Sequence, residues 1–315
     1  MSDRSKIGQR VTVTGATGLV GPSLVAVLRE RGVQVTVLAR DPARARARLG
    51  AVDAVAWDPL SEPAPPAALA DRDAVVHLAG APIAQRWSAR AKRAIRDSRT
   101  VGTRNLVEGL RRAHQSELGK PPQVLVSSSA IGYYGPHGEE PLDEDAPPGR
   151  DFLAEVCVAW EAAAAGAREL GMRVVALRTG VVLDRDGGAL AKMLPPFRLG
   201  VGGPVAGGYQ YISWIHPEDL RGMMLTALAD ERWDGPLNAT APEPLPNREF
   251  SKILGRVLGR PSFMPVPGAA LSLLYGEMAE IVTTGARVMP ARALVLGYEF
   301  AQPHLEGALR SALTR

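Results

Sequence analysis

A short strand that runs directly into three evenly spaced glycines is the feature that most constrains this chain. Residues 11–14 read Val-Thr-Val-Thr and suit a buried strand, whereas residues 22–31 carry leucine and valine at helical spacing. Between them, Gly15 permits a tight turn, Gly18 lets the backbone approach a pyrophosphate, and Gly21 lets the helix pack closely. The N-terminus of the helix attracts phosphate through free N–H groups. Glycine triplets also form purely structural turns, so it is the strand–loop–helix frame that predicts nucleotide binding.

The length and composition describe a globular protein with room for a large core. The chain has 315 residues, of which 46% are hydrophobic and 22% are charged. No apolar run approaches the roughly 20 residues that span a bilayer, and residues 1–6 contain no apolar segment typical of a signal peptide. The single cysteine, Cys157, excludes an internal disulfide and is typical of a reducing compartment. We therefore expect a cytoplasmic location.

The basic charge does not by itself indicate a nucleic-acid partner. The net charge is +4, but the arginines are spread through the chain and aromatic residues make up only 5% of it. Surfaces that bind nucleic acids interleave basic and aromatic side chains. The five histidines are too scattered for a metal motif. We expect no nucleic-acid or membrane partner and no metal, and either a monomer or a homodimer.

Segments typical of strands and helices alternate along the first part of the chain. Further strands are predicted at residues 33–38, 74–79, 124–129 and 173–183, and long helices at residues 89–112 and 152–170. This succession predicts an α/β fold, a doubly wound parallel sheet of the Rossmann type with ligands at the carboxyl ends of its strands. After residue 183, glycine-rich loops and helices predict a smaller, mainly helical C-terminal lobe on the substrate side.

A proline-rich segment suggests the domain boundary. We expect a nucleotide-binding domain at residues 1–241, to which residues 184–235 contribute the substrate side, and a small C-terminal domain at residues 242–315. Residues 242–246 resemble a linker, and the tail beyond them is predicted to form helical pieces.

The residue after the second strand indicates which dinucleotide binds. Proteins that prefer NAD commonly place an acidic residue there, about 20 residues after the glycines, to bind the ribose 2′-hydroxyl. Here that position holds Arg40, whose guanidinium suits the 2′-phosphate of NADP, and Arg44 lies one turn further on. The alternatives are that Arg40 is an ordinary surface arginine or that Asp41 binds the ribose. Asp58 follows a third strand and either accepts from the adenine amino group or caps a turn.

Five motifs occur within residues 11–241 in an order that is hard to obtain by chance. They are Thr14-Gly-Ala-Thr-Gly-Leu-Val-Gly21, His77-Leu-Ala-Gly80, Val101-Gly-Thr-Arg-Asn-Leu-Val107, Val126-Ser-Ser-Ser-Ala130 with Tyr134-Gly135, and Trp214-Ile-His-Pro-Glu-Asp-Leu220. Together they resemble the short-chain dehydrogenase/reductase superfamily, in its extended epimerase/dehydratase branch. The tail is similar to epimerase family proteins that carry a C-terminal domain of unknown function.

The residues and the resemblance together imply a set of cofactor contacts. The predicted contacts lie in the glycine loop, after the second and third strands, and after the fourth strand. They are Gly15, Ala16, Thr17, Gly18, Leu19, Val20, Gly21, Arg40, Asp58, Leu78, Ala79 and Gly80. With Arg40 among them, the expected cofactor is NADP, or NADPH in its reduced form.

The catalytic pair of the superfamily is absent. Its enzymes use a tyrosine as general acid/base and, four residues later, a lysine that lowers the tyrosine pKa and holds the nicotinamide ribose. If Glu161 aligns with the glutamate that usually follows, Leu153 and Cys157 occupy those two positions, and no Tyr-x-x-x-Lys occurs elsewhere. A lone cysteine in an apolar helix is usually buried and inert.

Three residues remain as candidate catalytic groups. Ser129 matches the serine that hydrogen-bonds a substrate carbonyl or hydroxyl in the superfamily, although a strand-end serine bonded to backbone is the alternative. Tyr133 and Tyr134 lie on the following loop, where each either donates a proton or packs with a tethered hydroxyl. His216 is interpreted as a structural histidine near the substrate lobe.

Two functions of different classes are consistent with these residues. The first is an NADP-binding oxidoreductase or epimerase-like enzyme for a small polar or sugar-like molecule, in which positioning supplies most of the rate and Ser129 or Tyr133 handles the proton. The second is a non-catalytic NADP(H) sensor that kept the cofactor loop and lost the acid/base pair.

Overall fold

A computed structural model describes residues 8–314 of the chain. Residues 1–6, where the sequence predicts no signal peptide, lie outside the described residues. Within the described range, no helix has both the length and the apolar character that a membrane crossing needs.

A parallel sheet forms the centre of the molecule. The strands in chain order are β1 (Arg10–Thr14), β2 (Gln34–Ala39), β3 (Asp53–Ala56), β4 (Ala74–His77), β5 (Val124–Ala130), β6 (Pro141–Leu142), β7 (Arg173–Thr179), β8 (Val181–Val182), β9 (Tyr211–Ile212), β10 (Trp214–Ile215), β11 (Gly235–Ala239), β12 (Leu245–Pro246) and β13 (Arg287–Val288). Within residues 8–314, seven of them form one parallel sheet in the order β3-β2-β1-β4-β5-β7-β11. The strand order reverses between β1 and β4, which is where doubly wound sheets open a ligand crevice. The predicted fold class is confirmed.

Helices cover both faces of this sheet. In chain order they are α1 (Gly21–Glu30), α2 (Pro42–Leu49), α3 (Ala89–Gln115), α4 (Phe152–Ala165), α5 (Gly188–Arg198), α6 (Pro217–Ala229), α7 (Asn247–Leu258), α8 (Gly268–Tyr275), α9 (Ala279–Thr283), α10 (Ala291–Val295) and α11 (Leu305–Thr314). Leu24 of α1 is buried in a core cluster with Val13 on one face, and Leu106 of α3 is buried in a second cluster with Leu125. Each fully buried leucine contributes roughly 1.5–3 kcal/mol.

A third apolar cluster joins α5 to the C-terminal helices. It contains Leu190 of α5, Phe250 of α7 and Leu309 of α11, all fully buried, together with Trp214. Leu245–Pro246, inside the segment that resembles a linker, forms β12 and pairs antiparallel with β9. The lobe is therefore tied to the substrate side by strand pairing as well as by packing, and the domain boundary after residue 241 stays a prediction.

Two strands differ from the sequence prediction. The strand predicted at residues 173–183 is interrupted at Gly180, where the backbone passes so close to Ser213 that a Cβ would lie 2.5 Å from its carbonyl oxygen. The chain therefore leaves the main sheet, and β8 pairs with β10 instead. The sequence did not predict β11, whose Gly235-Pro start has the composition of a loop.

Candidate functional site

The glycine loop between β1 and α1 is closed by backbone contacts that exclude side chains. Gly15 has φ +65°, and a Cβ there would lie 2.5 Å from the carbonyl carbon of Leu78. The N–H of Gly18 donates to the carbonyl oxygen of Gly15 over 2.9 Å. A Cβ on Gly21 would collide with the backbone of Ala16. The glycines thus let the loop fold back on itself and lie against the end of β4.

The first turn of α1 leaves its donors open to an anion. The N-cap residue, Val20, makes no capping hydrogen bond through its side chain, and the first turn carries no acidic residue. The N–H groups and positive end of such a helix suit a phosphate. Leu19 lies directly against Gly187, where any Cβ would collide with it. The loop therefore suits a pyrophosphate, and through Leu19 it also contacts the residue that precedes α5.

At the end of β2, the two candidate ribose ligands have different environments. The carboxylate of Asp41 accepts from the N–H of Arg44 over 2.9 Å and caps α2. Arg40, one residue earlier, is exposed at the strand end. Asp58 accepts from Ser61 Oγ and from the N–H of Leu60.

These contacts assign Asp58 its structural role. The hydrogen bond from Ser61, then that from Leu60, and also the charge of Arg40 hold the pKa of Asp58 below its usual value. Asp58 therefore caps a turn, as one of the two sequence alternatives expected, and adenine contact by this residue stays a prediction.

The loop after β4 lies between the glycine loop and Ser129. In the sheet register, His77 is opposite Thr14 on one side and Ser127 on the other. The buried His77 ring hydrogen-bonds Thr14 Oγ1 at 2.7 Å and Thr103 Oγ1 at 3.0 Å. Burial lowers the pKa of His77 to about 4. This neutral histidine joins β1, β4 and α3, and residues 78–80 follow directly at the crevice.

Ser129 belongs to a buried chain of polar groups. Its Oγ donates to Glu161 Oε1 over 2.6 Å. The guanidinium of Arg178 holds the same carboxylate with two hydrogen bonds of 2.9 Å, from Nε to Oε1 and from Nη2 to Oε2. The Arg178 and Glu161 side chains are 4% and 16% exposed, so this ion pair is largely desolvated. The serine is thus bonded to a charged side chain rather than to backbone.

The electrostatics of this chain of groups favour the charged pair. Burial alone would lower the pKa of Arg178, but the hydrogen bonds and the charge of Glu161 outweigh burial and raise it. The guanidinium therefore stays charged, and it holds both carboxylate oxygens of Glu161 next to the Ser129 hydroxyl.

The two candidate tyrosines have different environments. Tyr134 is fully buried; its hydroxyl donates to Asn238 Oδ1 over 2.7 Å and accepts from Arg178 Nη1 over 3.0 Å. Burial raises the pKa of Tyr134 to about 12. Tyr133 is half-buried, and the Arg178 guanidinium lies 3.4 Å from its ring centroid. The Tyr134 hydroxyl is buried and tethered, which is the packing alternative that the sequence left open, and Tyr133 is the more accessible of the two. A catalytic role of either tyrosine stays a prediction.

The positions of the missing catalytic pair face the turn that follows β5. A Cβ on Gly132 would lie 3.3 Å from Leu153 Cβ and 3.9 Å from Cys157 Sγ. Cys157 is 4% exposed, and burial, followed by the charge of Glu161, raises the pKa of its thiol to about 12. The thiol is therefore protonated and unreactive at neutral pH.

Sequence reasoning missed the partners of Ser129. Glu161 served there only as an alignment marker, and Arg178 was treated as part of an apolar strand. The available signal was an arginine inside the buried run Val-Val-Ala-Leu-Arg-Thr, because a charge in a central strand requires a partner. Among the described residues, no cluster of His, Cys, Asp and Glu side chains is arranged to hold a metal ion.

Comparison with known proteins gives consistent matches along nearly the whole chain. The model of the NAD-dependent epimerase/dehydratase family matches residues 11–238, and a domain of unknown function, DUF1731, matches residues 266–312. The chloroplastic SDR39U1 homolog of Arabidopsis thaliana, an epimerase family protein, is 41% identical over 99% of this chain and 89% of its own length.

Two solved structures share the fold and part of the sequence. The human epimerase family protein SDR39U1, solved with NADPH, has a TM-score of 0.85 and 36% identity, and the match covers 97% of this chain and 99% of the human one. A nucleoside-diphosphate sugar epimerase from Corynebacterium glutamicum has a TM-score of 0.76 and 34% identity over 97% of this chain and 58% of its own.

Proposed function

Because the chain belongs to the NAD-dependent epimerase/dehydratase family, we propose that it binds NADPH and acts as an oxidoreductase or epimerase-like enzyme on a small polar or sugar-like molecule. The observation that carries this proposal is the hydrogen bond from Ser129 to Glu161, a proton relay at the carboxyl end of the sheet. It supplies an acid/base function in a site that lacks the tyrosine and the lysine.

The glycine loop and the end of β2 hold the cofactor in this proposal. Backbone N–H groups at the start of α1 bind the pyrophosphate, and Arg40, with Arg44, binds the 2′-phosphate. This assignment is supported by the uncapped helix, by the use of Asp41 as a helix cap, and by the human relative solved with NADPH. When bound, the nicotinamide supplies or accepts the hydride.

Ser129 is the residue that touches the reacting oxygen. Since its proton is directed at Glu161 Oε1, its oxygen can accept a hydrogen bond from a substrate hydroxyl. As that hydroxyl is oxidised, its proton passes to Ser129 Oγ while the serine proton passes to Glu161. Carbonyl reduction moves both protons in the opposite direction. In oxidation the proton on Glu161 leaves to solvent before the next turnover, and in reduction Glu161 takes one up from solvent. The Arg178 guanidinium keeps its own protons and holds the carboxylate in place.

Removing the serine hydroxyl tests the relay. With a panel of carbonyl compounds and nucleotide sugars, followed by NADPH absorbance, Ser129→Ala should lower the turnover of any responsive substrate by roughly 10²–10⁴-fold and leave NADPH affinity unchanged. Ser128→Ala is the matched control, because neighbouring strand residues point to opposite faces of the sheet. Unchanged turnover in Ser129→Ala would reject the relay, and a loss confined to Tyr133→Phe would transfer the role to Tyr133.

A non-catalytic NADPH sensor is the second candidate function. The observation that favours it is that Leu153 and the buried, protonated Cys157 supply neither of the groups that the superfamily uses. A sensor should bind NADPH tightly, turn over nothing in the panel, and change its oligomeric state on binding, which analytical ultracentrifugation would detect. The small-molecule partner, the absence of a nucleic-acid partner and the cytoplasmic location stay predictions.

A further inference from the structure

Arg99 of α3 is a cation near the crevice whose function the relay does not explain. Its Nη1 donates to the carbonyl oxygens of Ala81 and Ile95, each over 3.1 Å. Its Cζ and Nη2 lie 3.3 Å from the point where a Cβ of Gly80 would be, and its Cζ lies 5.1 Å from the ring centroid of Trp160. The guanidinium is thus fixed against the loop that follows β4.

This cation has no counter-ion in the part of the chain that the structure describes. On the same helix, Lys92 pairs with Glu277 and Arg96 with Glu155. Arg93 and Arg104 have no carboxylate partner among the described residues, but both are exposed to solvent, whereas Arg99 is half-buried. Arg99 makes only the two hydrogen bonds to backbone, both from one nitrogen, so that Nη2 is left without an acceptor among the described residues. The side chain is half-buried, and Nη2 is not enclosed by protein, so it is a donor that a ligand oxygen can reach.

The location of Arg99 indicates which part of a ligand it contacts. Gly80 belongs to the loop after β4, between the glycine loop and the strand of Ser129. Trp160, whose ring the guanidinium faces, lies on α4 three residues after Cys157, which is at the position of the superfamily's lysine. Arg99 therefore lies on α3 against the part of α4 that carries position 157.

We propose that Arg99 supplies the positive charge and hydrogen-bond donors for the nicotinamide-ribose end of the cofactor, in place of the missing lysine. This inference rests on the proposed binding of NADPH. It makes Arg99 a cofactor-binding residue whose effect is specific to one half of the dinucleotide, since Arg40 and the glycine loop hold the other half. A guanidinium stays charged throughout turnover, so that it binds without exchanging a proton.

Two ligands distinguish a role of Arg99 in cofactor binding from a merely structural role. NADPH contains the nicotinamide ribose, whereas adenosine 2′,5′-bisphosphate contains only the adenosine half. In fluorescence or calorimetric titrations of the full chain, Arg99→Met should weaken NADPH roughly 10–100-fold, as expected for lost hydrogen bonds to a charged donor, and leave the bisphosphate unchanged. Arg99→Lys should keep part of the NADPH affinity. Arg104→Met, at an exposed position of the same helix, should change neither ligand.

Three outcomes would overturn the inference. Equal weakening of both ligands by Arg99→Met would mean that Arg99 only supports the loop, and Arg99→Lys would then show the same pattern. Unchanged NADPH affinity in a folded Arg99→Met variant would mean that the cation serves a different ligand, while the proposed function would stand. Failure of the unmodified protein to bind NADPH would reject the inference together with the proposed function.

Discussion

The two ends of the candidate site are built in different ways. The glycine loop is a backbone structure, in which Gly15 and Gly21 lie where any side chain would collide with neighbouring backbone. The chemical end is a side-chain structure, in which Ser129, Glu161 and Arg178 are joined by hydrogen bonds between distant parts of the sequence. The loop follows the usual pattern of dinucleotide-binding folds, whereas the chemical end departs from its superfamily.

In the proposed function, binding and chemistry are therefore specified separately on one sheet. A loop whose shape depends on the absence of side chains tolerates few changes, so it stays recognisable. A group of paired side chains can exchange its members provided that each buried charge keeps a partner. The fold therefore constrains the nucleotide end more than the reacting end.

The largest expected effect comes from a methyl group on Gly15. Because the residue has φ +65° and its Cβ would lie 2.5 Å from the carbonyl carbon of Leu78, Gly15→Ala should lower the free energy of unfolding by about 5 kcal/mol and abolish NADPH binding. Gly32→Ala is the control, since Gly32 has φ +80° but open space around its Cβ, and should cost only about 1–2 kcal/mol. If urea denaturation gives the same loss of unfolding free energy for Gly15→Ala and Gly32→Ala, the contact between a Cβ at position 15 and Leu78 is unimportant.

At the chemical end, the test is to remove one partner of the buried ion pair. Glu161→Gln leaves the Arg178 charge unpaired and should cost about 3–4 kcal/mol. Asp234→Asn breaks an ion pair with Arg168 in which both side chains are 44% exposed, and should cost less than about 1 kcal/mol. If chemical denaturation shows a similar loss of unfolding free energy for the two variants, the Glu161–Arg178 pair stabilises the protein no more than a surface ion pair does.

The buried His77 gives a pH dependence at the nucleotide end. Its folded pKa of about 4 lies below the ordinary value of 6.5, so the unfolded chain takes up the proton first as the pH falls. The contribution of the neutral His77 to the free energy of unfolding is complete above pH 6.5. It is lost as the pH falls from 6.5 to about 4, and amounts to about 3 kcal/mol in total. His77→Gln should remove this part of the pH dependence of unfolding, whereas the exposed His137→Gln should not. Parallel curves for His77→Gln and the unmodified protein would contradict the assignment.

The smallest expected effect concerns cofactor choice. Arg40→Ala should weaken NADPH at least tenfold, about 1.4 kcal/mol, and weaken NADH much less, because only NADPH carries the 2′-phosphate. Arg48→Ala, at an exposed position of α2, is the control. If NADPH and NADH weaken equally in titrations of Arg40→Ala, Arg40 does not select between the two dinucleotides.

Much of the fold could be predicted from the sequence because its signals are local. Residues 11–14 and the glycines predict β1, the turn and α1 within one short stretch. The later apolar runs likewise predict the strands that they form. The interruption at Gly180 was not predicted, because the pairing of β8 with β10 and the close approach to Ser213 are contacts between segments distant in the sequence. The strand β11 begins with Gly235-Pro and had no apolar signal of its own.

The candidate site was predictable in part. Ser129 could be identified from its motif, but its acceptor could not, because Glu161 reaches it across the packing of α4 on β5. Tyr133 and Tyr134 cannot be distinguished from the sequence, and only the burial of Tyr134 and its hydrogen bond to Asn238 separate them. The choice between Arg40 and Asp41 depended on where β2 ends, and the structure shows that Asp41 caps α2 by accepting from the Arg44 N–H. Which of the two residues contacts the ribose or its phosphate stays a prediction.

The contact between Leu19 and Gly187 links the nucleotide loop to the residue that precedes α5. A side chain at position 187 would displace the end of the Leu19 side chain, which is exposed and can adopt another rotamer. A substitution just before α5 therefore also changes how a side chain of the nucleotide loop is placed, although the two positions are far apart in the sequence.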